Sequence, residues 1–275
     1  MFEFLNPFSK KFGLDYEGLL SLLSVEERES SETREKNEQE SKLESEDQVL
    51  YSKDLVEEEK IDLELKKILE LLSQGPITTT ILTSIMQDLQ KLRISLISLS
   101  TSFNTHRQAL ITSITNVEGS IKILTKEQTE LIAFFNQIRP ETIVDETPKK
   151  RIQQFQILLL KALDDEIVHF KSLKKTILAK GKLVQEHSQI IKKEMDVYNQ
   201  FMQLAQKGNN QEMLASLNLL IETEQRLENF DKQITQIGTQ IELNNNKTKQ
   251  LDTMYAQTLH EFDNYYKQVF SKKAA

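Results

Sequence analysis

From Ile85 to Ile138 an inward-facing side chain returns every three or four residues: Ile85, Leu89, Leu92, Leu96, Leu99, Phe103, His106, Leu110, Ile114, Val117, Ile121, Leu124, Gln128, Leu131, Phe135 and Ile138. All but His106 and Gln128 are apolar. Residues three and four apart share one face of an α-helix, and a row that alternates those steps for so long specifies helices wound around one another. The alternation slips once, with two successive steps of four at His106, Leu110 and Ile114. A shift of one residue in heptad phase predicts a locally unwound supercoil at that point.

Two further rows follow. Pro140 stops the first helix, and Thr147 ahead of Pro148 reads as a cap and first helical position. The second row is Ile152, Phe155, Leu159, Leu163, Ile167, Phe170, Leu173, Ile177, Gly181, Val184, Ser188, Ile191, Met195, Tyr198, Met202 and Ala205. Gly208 and Asn209 end that helix and cap the next, with Glu212 three residues beyond the cap. The third row is Leu217, Leu220, Leu227, Phe230, Ile234, Ile237, Ile241, Leu251, Tyr255, Phe262, Tyr265 and Val269, with polar Asn244, Asn245 and Thr248 in its middle.

Helices at about 79–139, 147–207 and 210–270 have matched lengths of roughly 90 Å at about 1.5 Å per residue. Short connections fold such helices back on each other. Before them, Ile61, Leu65, Ile68 and Leu72 mark a short helix at about 53–74, stopped by Gly75 and Pro76. The expected fold is therefore all-α: an elongated antiparallel three-helix coiled-coil bundle, with the short helix beside one end. Composition agrees, since 275 residues with only 7 Gly and 4 Pro leave few places to turn.

The absence of Cys excludes disulfides, thiolate metal sites and thiol catalysis. No apolar run nears the roughly 20 residues of a membrane span, and the N-terminus lacks the basic and apolar regions of a signal peptide. A cytoplasmic location is the default expectation, with attachment to a membrane surface as the variant.

Residues 1–25 form an apolar segment of partly helical pattern, with Phe2, Phe4, Leu5, Phe8 and Phe12 followed by Leu19, Leu20, Leu22 and Leu23. Residues 26–52 are dense in Glu, Ser, Lys and Gln and read as a disordered acidic linker, because little in them repays the entropy of ordering. The bundle occupies 53–275. A tethered apolar segment has three destinations: its own bundle, a groove on a partner protein, or a membrane interface. In outline an apolar segment ahead of long helical hairpins is similar to membrane-remodelling filament proteins, a likeness of architecture only.

Catalytic and metal-binding patterns are sparse. Glu166 and His169 share a helix face at the spacing used in di-iron bundles, but such a centre needs two of these motifs. The residues three before His106, His187 and His260 are Phe103, Val184 and Gln257. Glu166 and His169 are therefore expected to be solvated, and neither a metal nor a cofactor is expected. No phosphate-cradling glycine motif occurs, and the four His are scattered. Folding the hairpins places His106, Gly181 and Gly238 in one irregular mid-rod layer: a bend, a pH-sensitive layer, a close helix crossing, or simply an accommodated histidine with incidental glycines. The stretch 148–207 is basic, but the net charge of −7 and the lack of aromatics among its lysines argue against nucleic acid.

The expected function is thus not enzymatic: a coiled-coil scaffold or adaptor that binds partner proteins through its rod surface and its N-terminal segment. The alternative is a peripheral membrane-binding or membrane-remodelling bundle anchored by residues 1–25. Apolar side chains off the main rows, among them Ile94, Ile97, Leu158, Leu160 and Phe201, serve either the short fourth helix or a second copy in a homo-oligomer.

Overall fold

The computed structural model describes residues 51–72, 78–139, 143, 145–207 and 210–271. The apolar N-terminal segment, the acidic linker and the Asn209 cap lie outside the described residues. The protein is an all-α helical bundle. Helix α1 covers residues 51–72, α2 runs Thr79–Ile138, α3 Glu146–Lys207 and α4 Asn210–Ser271, and no strand occurs among the described residues.

Helix ends follow local chemistry. The Thr78 hydroxyl accepts from the Ile81 amide at 3.3 Å and the Thr78 carbonyl from the Leu82 amide at 3.0 Å, which caps α2. At its other end Arg139 turns left-handed at φ 45°, and its amide donates to the Phe135 carbonyl at 3.1 Å. This is the single-bond αL cap, made here without the usual glycine. Helix α3 starts before the expected Thr147 cap, for the Lys149 amide already donates to the Asp145 carbonyl at 3.1 Å. Pro148 is tolerated in that first turn because the first four amides of a helix have no intrahelical partner.

Contacts divide the chain into two units. One comprises Lys42–Ile114 and Thr176–Ile241, and thus holds α1 with parts of all three long helices. In it α1 runs antiparallel to α2, since Glu57 meets Ser95 while the earlier Asp54 meets the later Ser102. Ile61, Leu65, Ile68 and Leu72 of α1 are buried, as their spacing requires. The other unit, in its described part, comprises Thr115–Lys175 and Glu242–Ala275, three helical segments without α1. Its core holds a cluster of rings: Phe262 lies 5.3 Å from Phe135, 5.6 Å from Phe155 and 5.8 Å from Tyr266, centroid to centroid.

Burial corrects the expected phase slip in α2. The buried row continues Leu110, Ser113, Val117, Ser120, Leu124 in alternating steps, while Ile114 and Ile121 are only half-buried beside it. The buried row along α2 thus keeps its alternating steps and passes through two serine side chains.

Candidate functional site

Heptad spacing delivers polar side chains to the interior in every helix. The buried polar residues include His106, Ser113 and Ser120 in α2, Lys180, His187 and Glu194 in α3, and Glu224 and Asp231 in α4, each set spaced by seven. In α1 Tyr51 and Glu58 are likewise seven apart and buried. A turn of hairpin between α3 and α4 then pairs these rows layer by layer: His187 with Asp231, and Glu194 with Glu224 one heptad away, about 10 Å along the axis.

The first layer converges on one point. His187 is fully buried, and its Nε2 lies 3.0 Å from Asp231 Oδ1 and 3.2 Å from Glu58 Oε1. Tyr51 donates its hydroxyl to the same Asp231 oxygen at 2.7 Å. Glu58, His187 and Asp231 each offer a ligand atom, all within 4.8 Å of one another. The imidazole is fixed by Phe103, which stacks on it at 4.1 Å and 14° between planes, and by the edge of Phe230 at 6.5 Å. Neither ring nitrogen of His187 and neither oxygen of Glu58 has an aligned hydrogen bond, although the ion-pair distances are short.

Electrostatics in this layer are strongly mutual. Burial disfavours charge on His187, but Asp231 and Glu58 outweigh it and push its pKa up to about 9. Burial raises Glu58 to about 8, against the pull of His187. Asp231 feels the same burial, yet His187, Glu58 and then Tyr51 hold it below the usual carboxylate range.

The surroundings extend the polar character. Asp54 Oδ2 accepts from Ser102 at 2.6 Å and from His106 Nε2 at 3.0 Å, so one carboxylate of α1 holds two side chains of α2. The His106 ring meets Tyr51 and Phe103 edge-on at 5.7 and 5.8 Å. In the second layer Glu194 is fully buried with neither oxygen aligned to a donor, and the Tyr198 hydroxyl is also unsatisfied. Burial, then the neighbouring Glu224 carboxyl, raises the Glu194 pKa well above normal, and Glu224 is raised too.

In the other unit Glu166 and His169 are both buried, which corrects their expected solvation: Ile167 and Phe170 carry them inward. His169 donates from Nε2 to the Asn244 carbonyl at 2.8 Å, a bond that the Thr248 hydroxyl shares at 3.1 Å. Glu166 has a buried oxygen without a partner, and burial, with Asp252 and Glu127 adding to it, raises its pKa to about 8.

The expected mid-rod layer has a different set of neighbours. His106 faces Asp54, Tyr51 and Phe103, whereas a Cβ at Gly181 would meet only Leu110 Cδ1, at 4.0 Å, and one at Gly238 nothing within 4 Å. Phe2, Phe4, Leu5, Phe8, Phe12, Leu19, Leu20, Leu22 and Leu23 lie outside the described residues. Sequence reasoning missed Glu58, His187, Glu194, Glu224 and Asp231, though their separations of seven along α3 and α4 were there to be read. Comparison of the chain with protein-family models, curated proteins and solved structures finds no match.

Proposed function

We propose that the protein is a non-catalytic helical scaffold or adaptor, which binds partner proteins through the outer faces of its helices and its apolar N-terminal segment. The observation that supports this reading is the division of side chains between inside and outside. The buried acids and imidazoles that approach one another are sealed in helix packing, with His187 and Glu194 both at 0% exposure. Large apolar side chains stand in solvent instead: Ile94 is 69% exposed and Ile157 66%, with Ile97 and Leu158 beside them. Substrate chemistry asks for reactive groups at an accessible surface, whereas exposed apolar side chains favour association.

Protein partners are expected, a second copy of the chain among them. A photoreactive residue placed at Ile94 or at Ile157, with exposed Lys122 as the reference position, tests the reading in cells. Discrete crosslinked species from the apolar positions and none from position 122 support it. Equal labelling from all three positions, or none from any, overturns it.

The alternative is a peripheral membrane protein anchored by residues 1–25, favoured by the Phe and Leu cluster of that segment. No helix of the described residues is long and apolar enough to cross a membrane, so attachment would be at the surface. Vesicle flotation that is lost on deleting residues 1–25 selects this alternative over the adaptor.

A further inference from the structure

We infer that Glu58, His187 and Asp231 form a binding site for one divalent first-row transition ion, which clasps α1 to α3 and α4. This goes beyond the adaptor reading and does not depend on it.

Three observations support the site. The first is convergence from three different helices: one atom each from Glu58, His187 and Asp231 lies within 4.8 Å of the others. Ligands about 2.0 Å from a tetrahedral ion stand roughly 3.3 Å apart, and His187 Nε2 is 3.2 Å from Glu58 Oε1 and 3.0 Å from Asp231 Oδ1. The second is unmet bonding capacity aimed inward. His187 is fully buried and Glu58 is 7% exposed, yet neither Nε2 nor either Glu58 oxygen has an aligned hydrogen bond. Buried polar atoms in native proteins are nearly always satisfied, and those that are not call for a group that completes them. The third is supporting structure. Tyr51 donates to Asp231 at 2.7 Å, the outer bond that fixes a ligating carboxylate, and Phe103 stacks flat on the imidazole at 4.1 Å.

The donor set identifies the ion's class. One imidazole nitrogen and two carboxylate oxygens, with no sulfur, suit Zn2+, Mn2+ or Fe2+ over the all-oxygen preference of Mg2+ and Ca2+. Binding displaces the proton on His187 Nε2 and any on Glu58, and the two carboxylates, then at a formal charge of −2, are neutralised by the divalent ion within a buried layer. A fourth position is left for water. Because Glu58 belongs to the short α1, the bound ion holds that helix to α3 and α4.

The test uses the full chain, stripped with chelator, loaded with Zn2+ or Mn2+ and desalted before elemental analysis. Co2+ serves as a spectroscopic probe of coordination in the same protein. The expected result is about one ion per chain, an upward shift in Tm, and a Co2+ ligand-field spectrum of nitrogen and oxygen donors. Near-isosteric Glu58→Gln and Asp231→Asn are expected to weaken retention at least about tenfold while circular dichroism stays helical. Glu194→Gln, one heptad away, is expected to retain the ion. Failure of the unaltered chain to hold a stoichiometric ion overturns the inference without reference to any variant. Retention indifferent to Glu58 and Asp231, or lost with Glu194→Gln instead, also overturns it.

Discussion

The two units use the same three long helices but fill their interiors differently. Where three segments pack, the core at one level is aromatic: Phe134, Phe135, Phe155, Phe262 and Tyr266 pack ring against ring. Its buried histidine, His169, is satisfied by a backbone carbonyl. Where α1 joins, the interior instead brings side-chain acids and imidazoles against one another, as in the Glu58, His187 and Asp231 layer. Rings exclude water and stabilise by burial and by their ring-to-ring geometry. Buried acids must find partners or keep their protons, so they specify which helices meet.

Three substitutions put that contrast under strain. The largest effect is expected for Phe262→Ala, which empties the ring cluster and should cost about 3–5 kcal/mol in denaturant unfolding. A cost below about 1 kcal/mol would show that the cluster is not what holds the three-helix unit together.

Glu166→Gln comes next, read against pH. The folded-state pKa of Glu166 is raised from 4.5 to about 8, so between those values the native chain keeps a proton that the unfolded chain has lost. Its contribution is therefore full below the unfolded value and is lost as pH rises, by at most about 1.4 kcal/mol per pH unit. The stability difference between Glu166→Gln and the parent should grow in favour of the variant across that window and level off above it. Parallel stability curves would remove Glu166 from the account.

The smallest effect, about 1–2 kcal/mol of stabilisation near neutral pH, is expected for Glu194→Met, which replaces an unsatisfied buried carboxyl by an apolar chain of similar size. Urea midpoints measure it. A destabilised variant would mean that the acidic layer supports the four-helix unit in a way that an apolar side chain cannot.

The helices themselves were legible because long periodic rows with few breakers admit one reading. Bounds expected at 79–139 and 210–270 stand against Thr79–Ile138 and Asn210–Ser271. The polar layers were hidden by the same method. In α3 the positions Ile177, Val184, Ile191, Tyr198 and Ala205 are buried, but between them lie two candidate rows one residue apart. Following low polarity selects Gly181, Ser188, Met195 and Met202, which are half-buried, over Lys180, His187, Glu194 and Phe201, which face inward. In α4 the same preference selects Phe230 over the buried Asp231 and skips Glu224. A helix stripe wide enough to hold both rows cannot be resolved by hydropathy alone. Only the facing register, which pairs polar with polar, decides between them.

Helix α1 is attached unevenly. Its first half meets its neighbours through hydroxyls, carboxylates and imidazoles at Tyr51, Asp54, Glu57 and Glu58, and its second half through Ile61, Leu65, Ile68 and Leu72. Residues 1–50 join at the polar half. The two halves therefore answer to different variables: the polar half to pH and to its neighbours' charge, the apolar half to whatever weakens burial.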